Sequence, residues 1–370
     1  VSSILLTIVM LAVGLAQMIA AGKLGQSIMG LPFTPTVLAF AAIFIVYTLA
    51  GGMNAVASTN KLHLFVMYGG VILAIVFALP KIGGLSQLIP EVQKVEAAEQ
   101  GKHYFNLFSS ENGVRGFAVS QILASLLGAC TAQAGIQPIL AAKNVSSARK
   151  ACIITAFVAA PFGLFTALLG IISKIMSSNG KLLDNGVNVT DAKLALFTLM
   201  KNVHPIIGGL VLSAILAAIL STVSPIILSS GTMITKDLYQ RVFRPNATDA
   251  QVLKMSRITT ALAGVLCALG AIALVNASEV LEIVKAAYSL RGALFVVVLF
   301  GIYWKKASEK GACVSMVLTG ITAIFWKAYK LTQGVYPISD KIEDTYAAVA
   351  VALVATLLFS YVFPKKQLKR

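Results

Sequence analysis

Residues 210–227 contain no charged side chain, and neither do residues 293–302. Uninterrupted apolar runs limit this chain more than any other feature. A helix on the surface of a water-soluble protein shows a polar stripe at every turn, and these runs show none. About 20 apolar residues in helical form cross the hydrocarbon of a bilayer. In lipid every backbone N–H and C=O must be satisfied within the fold, which leaves only helices or closed barrels, and the length of the runs selects helices. Charged residues make up 12% of the 370 residues, against about 25% in a soluble domain. The reading is an all-α membrane protein, one transmembrane domain over residues 1–370.

Ten spans can be laid along it, at about 3–18 (extending toward 29), 35–49, 63–79, 116–141, 151–175, 206–230, 256–275, 280–303, 311–329 and 346–363. The net charge of +16 would suggest nucleic acid in a soluble protein. Here the basic residues fall in short connections, where they set topology under the positive-inside rule, and nucleic acid is excluded as a partner. With ten spans, four basic stretches fall on one side: Lys143 with Arg149 and Lys150, Lys236 to Arg257, Lys305–Lys306, and the tail from Lys365 to Arg370. The connection at 54–61 joins them. That side is cytoplasmic, so the C-terminus is cytoplasmic, in a protein of the plasma membrane. The longer connections 81–115 and 177–204 mix Lys with Asp and Glu on the opposite side.

Cys130, Cys152, Cys267 and Cys313 lie in apolar segments without metal-ligand spacing and read as packing residues. The opening run lacks a charged n-region and a cleavage site, so it is a span and not a signal peptide. Its abrupt start at Val1 reads as a truncation within a larger protein.

Two stretches carry chemistry. In the first, small residues (Ser213, Ala214, Ala217, Ala218, Ser221) recur along residues 208–225, as suits close helix packing in a membrane. Ser221, Thr222 and Ser224 then gather before Pro225, which supplies no N–H to the carbonyl near position 221. Hydroxyls on a helix lie beside carbonyls three or four residues earlier, so neutral oxygens cluster at Ala217 to Thr222. A hard cation takes such ligands; the same hydroxyls serve equally to bond their own helix. In the second stretch, Gly128, Thr131, Gln133, Gly135, Gln137 and Pro138 interrupt an apolar span. Broken helices with unwound backbone line cavities in transporters, and a proline kink near a helix end gives the same pattern.

At these residues the chain resembles the sodium:solute symporter family, whose members carry proline, sugars, pantothenate and sialic acid. Tyr47, Thr48, Gly51, Gly52, Ala55 and Val56 follow the family's Tyr-Thr-x-x-Gly-Gly-x-x-Ala-Val segment. The resemblance continues through Gln137–Lys143 with Ala148 to Lys150, through Leu216–Thr222 with Ile234–Tyr239, and through Tyr303–Lys306 with Gly311. It implies part of the inverted-repeat fold of the bacterial leucine transporter: core helices three to ten plus two peripheral helices, with the leading helices missing. It implies a sodium site at the carbonyl of Ala218 and the hydroxyls of Ser221 and Thr222. A second sodium site of some members is eroded here, with Asn60 at its aspartate position and Pro225 at one serine position. It implies substrate contacts from Thr131, Gln133, Tyr288 and Arg291.

Arg291 stands roughly 18 Å along its helical segment, where a charge is costly and faces a cavity or a partner. It anchors a substrate carboxylate, closes an ion pair, or snorkels to the interface. Glu282 and Lys285 are placed to pair with each other, and His63, His103 and His204 are scattered. The implied function is sodium-coupled import of a small organic solute by alternating access in the bilayer, a carboxylate if Arg291 is its anchor. Sodium is the coupling ion and no other cofactor is needed. Proton coupling or exchange on the same fold and a non-transporting membrane sensor are the alternatives. An enzyme would need convergent titratable groups that the spans do not contain. Solute identity, stoichiometry and oligomeric state are not encoded legibly.

Overall fold

The computed structural model describes residues 1–99, 114–184, 186–189, 192–202, 205–275, 280–339 and 341–364. The readings on His103, His204, the Glu282–Lys285 pair and the basic tail 365–370 fall on residues or side chains outside that set. Among the described residues ten helical segments are long and apolar enough to span a membrane, in agreement with the count read from the sequence.

The elements in order are α1 (Ser2–Met29), α2 (Phe33–Ala78), α3 (Leu85–Ala98), α4 (Val114–Ala129), α5 (Gln133–Leu140) and α6 (Val145–Ser178). A small hairpin follows, β1 (Leu183–Asp184) paired antiparallel with β2 (Val187–Asn188). Then come α7 (Ala192–Lys201), α8 (Pro205–Met233), a π-helical turn (Ile234–Phe243), α9 (Asp249–Leu274), α10 (Val280–Tyr303), α11 (Glu309–Gln333) and α12 (Asp344–Val362).

α2 corrects one expectation. The connection expected at 54–61 is helical, and the chain turns instead at Gly52. Gly52 has φ 55 and ψ −158, a combination essentially confined to glycine. Tyr47 and Thr59 hydrogen-bond to each other across the turn. In a straight helix they would stand roughly 18 Å apart, so the two arms fold back sharply, and each is a span (Phe33–Gly52 and Val56–Ile82). Gly52→Ala is therefore expected to lower stability by about 1–3 kcal/mol. Gly69, which sits in helix with open space around a built Cβ, is the control, and Gly69→Ala should be neutral or better. Thermal unfolding of the two purified variants measures the difference.

Three further expectations are refined. The span at 116–141 is broken into α4 and α5, with Cys130–Ala132 between them. The span at 206–230 runs on through the π-helical turn, so Lys236 and Arg241 are helical rather than in a loop, and Lys254 and Arg257 lie on α9. The wide winding shows at its end, where the N–H of Arg244 reaches the carbonyl of Tyr239, five residues back, at 2.7 Å. Thr259 on α9 donates to the carbonyl of Gly231 at 3.0 Å, and its hydroxyl meets that of Thr235 at 2.9 Å, which holds this end of α8 against α9. Ser3 at the start of α1 donates to Asp237 of the π turn at 2.6 Å. The two longer connections also carry structure: the amphipathic α3, the β hairpin and α7.

Apolar side chains pack in two clusters that share α1 and α8. One joins α1, α2, α8 and α9 with α3, α6 and α7. The other joins α1 and the far end of α8 to α10, α11 and α12. Close approach of α2 and α8 uses small residues, Gly70 lying against Ala214, as expected where packing rather than the hydrophobic effect holds helices together. A polar layer ties α12 to its neighbours: Ser120 on α4 donates to Glu343, and the hydroxyls of Ser289 on α10 and Thr345 meet at 2.7 Å. The exterior is apolar; Phe65, Phe157, Leu126 and Leu164 are all largely exposed. Such a surface suits lipid and not water.

Candidate functional site

α8 is apolar through most of its length, so its few hydroxyls stand out chemically. The Ser221 hydroxyl donates to the carbonyl of Ala218 at 2.8 Å, and the Thr222 hydroxyl donates to the same carbonyl at 3.0 Å. The local bonding that the sequence left as an alternative is thus present. It also gathers three oxygens within one helical turn, and each hydroxyl oxygen keeps acceptor lone pairs. Local bonding and cation coordination are therefore compatible at these residues.

Ser221 and Thr222 border a cavity of about 350 Å³, within the size of small-molecule sites. Five helical regions form its wall: Met10 and Val13 of α1; Val56, Ala57 and Asn60 of the second arm of α2; Ala132, Ala134, Gly135 and Pro138 around the α4–α5 break; Pro225 and Ile226 of α8; and Tyr288 and Arg291 of α10.

Arg291 is 8% exposed. Its guanidinium lies over the Tyr288 ring, 4.4 Å from the centroid, a cation–π contact. Its Nε is buried with no hydrogen-bond partner. Among the described residues it makes no ion pair, and it lines the cavity rather than reaching an interface. A buried cation without a counter-charge is costly, and a guanidinium beside a cavity is suited to pair with an anion. Gly128 on α4 makes room for it: a Cβ there would fall 3.0 Å from Arg291 Nε.

Ser221, Thr222, Tyr288 and Arg291 thus line one cavity, with the Ala218 carbonyl bonded to the first two. Thr131 and Gln133 are not part of its lining. Thr131 is 5% exposed, and its hydroxyl donates to the Arg291 carbonyl at 2.9 Å. Asn60 lines the cavity with its Oδ1 buried and unpartnered, and the Ser224 hydroxyl is likewise buried without a partner. Asn60 brings no negative charge to balance a second cation. The bond from Ser229 on α8 to the Oε1 of Gln137 at 3.0 Å carried no signal in the sequence beyond the polarity of the two residues.

The model of the sodium:solute symporter family matches residues 1–320. The osmoregulated proline transporter OpuE of Bacillus subtilis is 28% identical over 325 residues, covering 87% of this chain and 63% of that protein. The sodium/proline symporter of Haemophilus influenzae is 29% identical, covering 84% and 60%. The sodium/glucose cotransporter of Vibrio parahaemolyticus is 25% identical, covering 90% and 64%. The chain thus spans roughly three-fifths of the length of these relatives. A substrate-bound, outward-open structure of a Na+-coupled sialic acid symporter matches 99% of this chain and 75% of its own, with a TM-score of 0.75 at 22% identity. That likeness establishes the fold, the inverted-repeat architecture of the leucine-transporter type.

Proposed function

The chain belongs to the sodium:solute symporter family, and from there we propose that it moves a small organic solute together with sodium by alternating access around the cavity between α2, α8 and α10. The observation that carries this reading is one cavity bordered by the hydroxyls bonded to the Ala218 carbonyl and by Arg291, a buried cation with no ion pair among the described residues. Sodium binds at Ala218, Ser221 and Thr222. The solute presents a carboxylate to Arg291, with Tyr288 fixing the guanidinium plane. Thr131 and Gln133 act from behind the wall. The domain is a single transmembrane unit of core helices three to ten and two peripheral helices. It sits in the plasma membrane with the basic connections and the C-terminus on the cytoplasmic side.

Sodium at α8 favours whichever state assembles its full oxygen shell, so it shifts the population toward the state that receives solute. The experiment is accumulation into proteoliposomes with sodium or choline outside. The panel is proline, pantothenate, sialic acid, glucose and simple monocarboxylates. Sodium-stimulated accumulation confined to carboxylates is the expected result. Accumulation of glucose alone would remove Arg291 as a carboxylate anchor, and accumulation driven equally in choline by a proton gradient would replace sodium as the coupling ion.

A further inference from the structure

The α4–α5 break is bonded to both functional helices, and by different residues at its two ends. At its start, the Thr131 hydroxyl donates to the carbonyl of Arg291 on α10 at 2.9 Å. On α5, Gln137 accepts from the Ser229 hydroxyl on α8 at 3.0 Å. Ser229 lies about two turns beyond Thr222 on the same helix, and it is fully buried. Between the two bonds lie Ala132 and the first turn of the eight-residue α5, in which Gln137 is the fifth residue. Its neighbour Gly128 leaves the space that the Arg291 guanidinium fills.

We propose that α5 is the coupling element between the cation site and the anion anchor, and that Thr131 and Gln137 are the positioning residues that make it so. The inference rests on the sodium reading of Ala218, Ser221 and Thr222. A shift of α8 on binding sodium pulls on Gln137 through Ser229. The pull passes from Gln137 through the first turn of α5 and Ala132 to Thr131 in the Cys130–Ala132 turn, and Thr131 moves the backbone of α10 at Arg291. The guanidinium, held over Gly128 and the Tyr288 ring, then changes its presentation to the cavity. Thr131 and Gln137 touch neither ligand in this account. Coupling through a packed element requires evidence of coupling and not mere proximity, and Arg291 itself can report it.

The test uses phenylglyoxal, which modifies arginine, with the extent of labelling at Arg291 read by mass spectrometry. The purified protein is labelled in sodium chloride or in choline chloride at equal ionic strength, so no solute is needed. In the unaltered protein, sodium is expected to change the Arg291 labelling rate about fivefold or more, the lower range of allosteric coupling. In Thr131→Val and in Gln137→Met the ratio should fall to within about twofold of unity, and Thr131→Ser should restore it. If Gln137→Met does not fold, Ser229→Ala removes the same bond from the other side. A sodium effect that persists in both the Thr131 and Gln137 variants overturns the inference. So does a labelling rate indifferent to sodium in a protein whose melting temperature sodium still raises. If sodium changes neither labelling nor melting temperature, the sodium site itself is refuted and the inference falls with it.

Discussion

Replacing Ser221 and Thr222 together by alanine is expected to abolish sodium stimulation of uptake. Both hydroxyls already converge on the Ala218 carbonyl, so the ligand geometry exists before the ion arrives and little ordering is needed on binding. Each oxygen interacting with a charge contributes about 1.5–3 kcal/mol. Losing one should weaken sodium binding roughly tenfold to hundredfold, since about 1.4 kcal/mol is a factor of ten, and losing both should remove saturable stimulation. The fold should survive. The alanines delete two hydrogen bonds of about 1 kcal/mol each, while the carbonyl they bonded remains part of a helix. The check is uptake against sodium concentration for the two single variants and the double variant, alongside their melting temperatures. Stimulation that remains sodium-dependent in the double variant would refute the assignment.

The second large effect concerns Arg291. Removing one partner from a buried, hydrogen-bonded charge pair costs about 2–5 kcal/mol of binding. Arg291→Gln should therefore raise KM for a carboxylate solute about thirtyfold or more. Arg291→Lys keeps the charge but loses the planar fork and the stacking on Tyr288, and should lie between the two. The stability effect should run the other way. Arg291 is a buried cation with no ion pair among the described residues, and an uncompensated buried charge costs stability that a neutral side chain does not. Arg291→Gln is thus expected to melt at the same temperature as the unaltered protein or higher, while transporting less. A variant that loses stability together with uptake would point to a structural role. Kinetics and thermal unfolding on the same preparations distinguish the two.

The spans were legible because charge-free runs have one physical meaning in lipid. The cluster at Ala218, Ser221 and Thr222 was legible because a helix fixes where a hydroxyl can reach. What stayed hidden depends on long-range partners. Residues 54–61 are polar enough to imitate a loop, yet Thr59 spends its hydroxyl on Tyr47 across the turn, and Asn60 faces the cavity. The break in the fourth span is legible from Gly128, Thr131, Gln133, Gly135, Gln137 and Pro138 together, and of these only Thr131 lies in the turn at Cys130–Ala132; the others lie within helices. The family resemblance implies a solute contact at Thr131. Its partner is a carbonyl 160 positions along the chain, which no local pattern can supply. The hairpin between α6 and α7 is illegible for a similar reason. Its anchors, Ser177 to the Val189 carbonyl and Asn188 to the Ser177 carbonyl, are ordinary polar residues in a stretch without periodicity.

Equilibrium binding of radioactive sodium to the purified protein, with the Ser221→Ala/Thr222→Ala double variant beside it, tests the central claim most directly. The account predicts saturable binding to the unaltered protein and none to the double variant, with both equally folded. Binding that is undiminished in the double variant, or absent from the unaltered protein, would contradict it.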